Sequence, residues 1–165
     1  MLFTGNTDDS GTQTIHLSHF ILCRFLRFAP KTWGPGGIAF RENTRITTAA
    51  ASSFTLLHQT ASQVTQSQLQ LVSVGRALPD ASYTTSSSKD EAHSAHFANL
   101  GKIVQDGTTH YWQPATDEAG QYVQVDFTQP LELGGLMTKG GDTGWLTSFQ
   151  LKYSTDGEQW TTYDQ

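Results

Sequence analysis

The sequence predicts an all-β protein that folds as an antiparallel β-sandwich of the jelly-roll kind. Charged side chains make up only 15% of its 165 residues, against roughly 25% in an average globular protein. Neutral polar residues replace them, together with 15 glycines and an aromatic content of 11%. Short apolar–polar alternations separated by Gly, Asp and Pro recur along the chain, as they do where strands are joined by turns.

Length and charge limit the function. A chain of 165 residues corresponds to one domain, at roughly 150 residues per domain. A net charge of −5 argues against nucleic acid as a partner, because phosphate neutralisation needs a basic surface. No apolar run approaches the roughly 20 residues of a membrane-spanning helix. We expect no signal peptide in this chain, and its one cysteine, Cys23, cannot form an internal disulfide.

Residues 1–46 contain three predicted strands, over residues 12–17, 21–28 and 38–46. The second is an almost continuous apolar run, which is typical of a strand buried on both faces. Its end at Ala29 and Pro30 argues against a helix. The glycine-rich stretch between the second and third strands predicts a turn.

Residues 47–72 are predicted to be a linker. They consist mainly of Ala, Ser, Thr and Gln, with one aromatic residue, Phe54, and no charged residue. Such a composition is typical of an irregular connection. A weak helix over residues 62–71 is the alternative.

Residues 73–165 return to strand patterns. In the first predicted strand Val123, Val125 and Phe127 share one face, and Pro130 is expected to end it. Further strands are predicted over residues 131–138, 149–153 and 159–163. An Asp-Gly hairpin turn precedes the last of them.

Several motifs of this third segment occur in a known order. They are LPDAS at 78–82, TTSSS at 84–88, WQPATDEAGQYVQVDF at 112–127, TKGG at 138–141, WLTSFQLKYS at 145–154 and DGEQW at 156–160. In this order they closely resemble the discoidin family, also called coagulation factor V/VIII type C domains, whose fold is galactose-binding-like. The resemblance implies a discoidin-like sandwich in an extracellular protein.

The first segment is similar to the final third of the same family. The similarity rests on FTGNTD at 3–8, CRFLRF at 23–28 and IAFRE at 38–42. The chain therefore carries the C-terminal strands of such a domain in residues 1–46, followed by the N-terminal two thirds of one in residues 73–165. We expect the two pieces to combine into one circularly permuted sandwich. A slice of a tandem array, cut inside two neighbouring domains, is the alternative.

The resemblance also implies that loops at one end of the sandwich bind the ligand. The matching loops are residues 86–99, 101–111 and 139–145. The candidate contacts are His93, His96, Phe97, His110, Asp142, Thr143 and Trp145. For Phe97 a place in the core is favoured over ligand contact, and for Trp145 the two interpretations stay open.

A structural calcium is implied by similarity to related carbohydrate-binding modules. Its ligands would be Asp106, Thr109 and Glu42 together with neighbouring carbonyls, since calcium takes six to eight oxygens. Extra residues between Asn99 and Asp106 depart from the pattern of those modules. An Asp-Gly turn without metal is the alternative, and no other cofactor is expected.

Catalysis is not expected, because the chain has no nucleophile elbow of the G-x-S-x-G type. The predicted function is therefore a non-enzymatic extracellular recognition or adhesion module that binds a glycan or a cell-surface protein. Docking to anionic phospholipid is the alternative, but the binding loops carry no surplus of basic residues for it. A further alternative is a fragment of a tandem discoidin protein without independent function.

Overall fold

The computed structural model describes residues 1–47, 71–73, 78–102 and 110–164. Its strands are β1 (Phe3–Thr4), β2 (Thr12–Trp33), β3 (Arg41–Thr47), β4 (Leu71–Ser73), β5 (Tyr83–Thr85), β6 (Val123–Lys139), β7 (Leu146–Ser154) and β8 (Thr161–Thr162). Short 3-10 turns occupy Asp80–Ser82, Glu91–His93 and Ala95–Ala98. Most of the predicted linker lies outside the described residues.

The two long strands β2 and β6 pair antiparallel over most of their length. Their register shifts between His16 and Ile21 and again between Cys23 and Phe25. The predicted strands over residues 12–17 and 21–28 are therefore parts of one irregular strand. Pro130 likewise does not end a strand, because it lies where β6 has no ladder partner on β2 and its missing N–H costs nothing.

These register shifts let the two halves of each long strand pair with different neighbours, so that the strands form two groups. The second half of β2 lies between β6 and β7, and β5, β1 and β8 join at the sides. The first half of β2 and the second half of β6 continue into β3 and β4. The predicted all-β, antiparallel sandwich is confirmed.

The apolar faces of both groups form one core. Leu26 of β2 is fully buried, and it pairs with Val125 of β6 and Tyr153 of β7. The ring of Phe28 lies 5.1 Å from that of Phe40 and 5.8 Å from that of Phe149. Residues of the first segment thus pack directly on strands of the third.

Cys23 belongs to this core as well. Its side chain is fully buried, and burial raises the pKa of its thiol to about 12. A thiol that stays protonated is a poor nucleophile, so Cys23 acts as a small apolar side chain.

Strand register brings the start of β2, the start of β3 and the end of β6 to one end of the sandwich. Lys139, the last residue of β6, pairs with Thr12 of β2 on one side and with Arg41 of β3 on the other. A bridge between Phe40 and Trp112 attaches the segment that follows residue 110 to the start of β3. Among the described residues, no helix is long and apolar enough to cross a membrane.

Replacement of a core residue on β2 tests whether the two segments unfold together. Leu26→Ala is expected to lower the free energy of unfolding by about 2–5 kcal/mol, because it leaves a cavity between β6 and β7. Urea denaturation followed by tryptophan fluorescence measures the change, and a single transition is expected.

Leu22→Ala on the same strand is the matched control. Leu22 is 62% exposed, so its truncation should change the free energy of unfolding by less than about 0.5 kcal/mol. Two separate transitions, with only one of them shifted by Leu26→Ala, would contradict the single core.

Candidate functional site

An open cleft of about 320 Å³ lies between the turn that precedes β2, the start of β3 and the loop that follows β6. It is lined by Asp9, Ser10, Arg41, Lys139, Gly141 and Asp142. The lining combines two cations, two carboxylates, a hydroxyl and the backbone of a glycine. Such a cleft offers both donors and acceptors to a polar ligand.

The turn that carries Asp9 and Ser10 is held from both sides. The Asp8 carboxylate accepts hydrogen bonds from the amides of Ser10 and Gly11, which lower the pKa of Asp8. The buried Asn6 side chain donates to the carbonyls of Gly11 at 2.7 Å and Thr138 at 3.1 Å. This part of the cleft wall is thereby tied to β6.

Arg41 is fixed before any ligand arrives. Its Nε and Nη2 donate to the Gly140 carbonyl oxygen at 3.1 and 2.9 Å. Burial lowers the pKa of the guanidinium, while Asp142 and Tyr111 oppose that shift. The remaining N–H groups of a guanidinium held in this way form a rigid set of donors.

Tyr111 connects the cleft to the other loops. A Cβ at Gly141 would overlap its ring, so only glycine allows the 139–145 loop to lie on that ring. The Tyr111 hydroxyl is hydrogen-bonded to Thr143, and burial raises the pKa of this phenol. On another side His93 approaches the ring edge-on, with centroids 4.8 Å apart.

The residues predicted in the first two loops form a neighbouring ring cluster. Phe97 stacks on His110 at 4.3 Å and contacts His96 at 4.1 Å between centroids. The Lys102 ammonium lies 5.2 Å from the Phe97 centroid and 2.6 Å from an Asp80 oxygen. Phe97 is half-buried and packs against the loop histidines, outside the main core cluster.

The histidines of this region have defined partners. His93 Nδ1 lies 2.6 Å from Asp90 Oδ1, an interaction that lowers the pKa of Asp90. Burial lowers the pKa of His96, and the nearby Lys102 adds to the effect. His110 Nδ1 lies 3.2 Å from the Ala92 carbonyl oxygen, which links the second loop to the first.

Trp145 has a packing role and an accessible side. A Cβ at Gly34 would overlap its indole ring, and the Gly34 amide donates to the Trp145 carbonyl at 3.0 Å. The side chain is nevertheless only half-buried, while Asp142 and Thr143 of the same loop are exposed.

The structure thus brings the predicted loops together but divides the candidate residues. His96, Phe97 and His110 form the ring cluster, Asp142 lines the cleft, and Thr143 reaches Tyr111 between them. Sequence reasoning did not select the other cleft residues or Tyr111 as ligand contacts. Those cleft residues are Asp9, Ser10, Arg41, Lys139 and Gly141. Only the Asp-Asp-Ser-Gly turn at 8–11 carried a signal, and it was one of many polar turns.

Glu42, one of the three predicted calcium ligands, is hydrogen-bonded within the protein. This side chain is fully buried, and its two oxygens accept hydrogen bonds from Thr44 Oγ1 at 2.7 Å and from the Tyr83 hydroxyl at 3.1 Å. Each carboxylate oxygen can accept a second bond, so these contacts leave Glu42 able to bind a cation. Asp106 and Thr109 lie outside the described residues. Within the part of the chain that the structure describes, no three His, Cys, Asp or Glu side chains are grouped to hold a metal.

Comparison with known families identifies this architecture. The family model described as F5/8 type C domain matches residues 82–165. The chain belongs to the F5/8 type C domain family. The predicted discoidin relationship is confirmed, and the F5/8 type C match includes the 86–99 and 139–145 loops. Asp9, Ser10 and Arg41 precede the matched segment.

Curated relatives with F5/8 type C similarity come from several animals. SCO-spondin of Gallus gallus is 32% identical over 97 residues, covering 54% of this chain and 2% of that protein. Coagulation factor VIII of Homo sapiens is 22% identical over 169 residues, covering 100% of this chain and 6% of the relative. Lactadherin of Rattus norvegicus is 28% identical over 95 residues, covering 53% of this chain and 22% of that protein.

The F5/8 type C chain thus spans less than a quarter of the length of each of these relatives. No solved structure matches it.

Glu42 is expected to make the F5/8 type C fold less stable as the pH rises. Burial raises the pKa of Glu42 from 4.5 to about 7, against the hydrogen bonds from Thr44 and Tyr83. Because the folded-state pKa lies above the unfolded value, this contribution is complete below pH 4.5 and is lost as the pH rises to about 7. The loss should be about 3 kcal/mol at most.

Urea denaturation between pH 4.5 and 8 measures this loss in the wild-type chain and in Glu42→Gln. The variant cannot ionise at this position, so its free energy of unfolding should fall less over the same interval. Parallel pH profiles for the two proteins would contradict a raised pKa at Glu42.

Proposed function

We propose that this chain is a non-enzymatic, extracellular recognition module that binds a glycan or glycoprotein at the loop end of its sandwich. The observation that carries the proposal is the Arg41 guanidinium, held by the Gly140 carbonyl at the wall of an open, polar cleft. A donor fixed in advance loses less entropy when it binds, and this favours ligands with hydroxyl or acid oxygens.

The cleft has the chemistry that sugars require. Asp9 and Asp142 accept hydrogen bonds from hydroxyl groups, while Arg41 and Lys139 donate to ring and hydroxyl oxygens. Its volume of about 320 Å³ is at the small end of ligand pockets, which run from roughly 300 to 1,000 Å³. The accessible side of Trp145 adds an aromatic surface in the same loop as Asp142.

The charge of the cleft favours a glycan over an anionic phospholipid. Two carboxylates balance two cations there, so no surplus attracts a negative membrane surface. Among the described residues, the exposed large apolar side chains are Met1, Leu2 and Leu22, and none of these lies in the 86–99 or 139–145 loops. Phospholipid docking remains the alternative that a binding experiment distinguishes.

For a structural calcium, we propose Asp106, Thr109 and Glu42 as ligands, together with neighbouring carbonyls. Thermal unfolding in calcium chloride and in EGTA tests it. A calcium-dependent rise of the midpoint should be lost in Glu42→Gln, and its persistence in that variant would remove Glu42 from the ligand set.

We also propose that residues 1–46 and 73–165 form one domain in circularly permuted order, joined by the linker over residues 47–72. The pairing of β2 with both β6 and β7 supports this arrangement, since neither segment completes the core without the other. Two independent unfolding transitions in the Leu26→Ala experiment would count against it.

Two cleft substitutions test the proposed glycan site. A glycan array probed with the wild-type chain first identifies the ligand that binds most strongly. Arg41→Gln and Asp142→Asn are then each expected to weaken binding of that glycan about tenfold or more, because each removes a charged hydrogen-bond partner. Titration calorimetry measures the dissociation constants.

Matched controls remove one positive and one negative charge outside the cleft. Lys31→Gln and Glu158→Gln alter exposed residues that do not line the cleft and should leave the dissociation constant within about twofold. A blank glycan array together with a blank panel of matrix glycoproteins would contradict the proposal. Co-sedimentation with phosphatidylserine vesicles at low salt would establish the phospholipid alternative instead.

A further inference from the structure

A row of side chains crosses the outer face of the sheet, away from the cleft. In register order it consists of Thr84, Gln124, Arg27, Lys152 and Thr162, from β5, β6, β2, β7 and β8. Each of them pairs directly with the next, so all five point to the same side. Their sequence neighbours Leu26 and Val125 are fully buried, which places the row on the outer side of the sheet. We call these five residues the outer row.

The central cation of the outer row is immobilised. The guanidinium carbon of Arg27 lies 4.3 Å from the Tyr122 ring centroid and 3.9 Å from that of Trp160. Gln124 Oε1 accepts from its Nη2 at 2.7 Å and from its Nε at 3.3 Å. The aromatic contacts and the glutamine therefore fix the plane of the guanidinium and leave N–H groups of Nη1 and Nη2 available.

The charge of this row is not paired with a carboxylate among the described residues. Lys152 stands directly opposite Arg27 on the neighbouring strand, and none of the ion pairs between described residues includes either cation. Nearby Arg24, by contrast, makes two bonds of 2.8 Å to the Asp126 carboxylate. Like charges directly opposite on two strands destabilise a sheet.

The arrangement is unusual for this chain, which has 15 acidic residues against 10 basic ones. A sequence with a surplus of carboxylates nevertheless places two cations side by side without one. Local rules of stability are broken mainly at functional sites. A bound anion would remove the repulsion that the folded chain alone retains.

We propose that the outer row binds the sulfate groups of an acidic polysaccharide. The free edge of Arg27 matches two oxygens of a tetrahedral oxyanion, and the Lys152 ammonium supplies a point charge beside it. The threonine hydroxyls and the Gln124 amide continue the row at the strand spacing of about 4.8 Å, over roughly 19 Å. This length suits an extended chain that presents acidic groups in succession.

A polysaccharide fits this surface better than a membrane does. The outer row itself contains no large apolar side chain, and the neighbouring rings of Tyr122 and Trp160 are in contact with Arg27. Its polar groups lie in a line across five strands. The binding would be salt-dependent, because the contacts lie at the surface.

Binding to immobilised heparin, a sulfated polysaccharide, tests the outer row. The wild-type chain should be retained at low salt despite its net negative charge. Lys152→Gln is expected to weaken binding at least tenfold. Lys152→Glu should abolish binding and at the same time raise the midpoint of thermal unfolding, because it converts repulsion from Arg27 into attraction. Heparin binding that survives Lys152→Glu in the folded protein would overturn the proposal, and so would an unchanged midpoint.

Lys139→Gln is the matched control. It removes the same charge at the far end of β6, in the cleft of the proposed glycan site, and should leave heparin binding within about twofold. Lys139→Gln should instead weaken binding of the glycan found by the array. The experiment therefore tests the two proposed sites independently. Equal loss in Lys139→Gln and Lys152→Gln would show non-specific attraction and overturn the outer row as a site.

Three further probes distinguish which kind of anionic partner binds the outer row. Chemically desulfated heparin should not bind, whereas retention of it would contradict sulfate recognition. Phosphatidylserine vesicles and polyglutamate should bind at least tenfold more weakly than heparin. Stronger binding of either one through Lys152 would replace the polysaccharide with a membrane or an acidic peptide.

Discussion

The antiparallel pairing of β2 with β6 is the interaction on which the rest of the structure depends. It joins residues from the two ends of the chain, places Leu26 against Val125 in the core and brings Lys139 between Thr12 and Arg41. The register shifts within this pairing let β2 and β6 each belong to both groups of strands in the sandwich. Because the loops at one end start from these ladders, the same pairing determines where the cleft lies.

Two surfaces with different chemistry result from this scaffold. At the loop end Arg41 and Lys139 face Asp9 and Asp142, so the cleft is balanced in charge and suited to hydroxyl-rich ligands. On the outer face, no ion pair between described residues includes the cations of the outer row. The two surfaces therefore differ in charge, and both are built largely from neighbouring strands whose spacing the core sets.

Polar groups within the fold also restrict its shape. Glu42 is buried between Thr44 and Tyr83, and its backbone carbonyl accepts from Leu100 at 2.8 Å. These bonds connect β3 with β5 and with the loop that approaches the candidate site. A buried acid whose pKa is raised in this way links the stability of this region to pH.

The sequence by itself determined the fold class and the family. Alternation placed Val123, Val125 and Phe127 inside, and the Asp-Gly pair at the β7–β8 turn has the positive φ of 82° that glycine allows at Gly157. These features depend on residues that are neighbours along the chain, so a local sequence pattern is enough to predict them. The sequence also identified the family, because the family motifs occur in their usual order within residues 73–165.

Only the tertiary structure decided the pairing of β2 with β6, the cleft around Arg41 and the outer row. Arg27 and Gln124 are 97 residues apart in the chain, and Arg41 and Gly140 are 99 apart. No local pattern relates residues at such separations. Which side chains meet depends on strand register and bulges, and these are set by how the whole core packs.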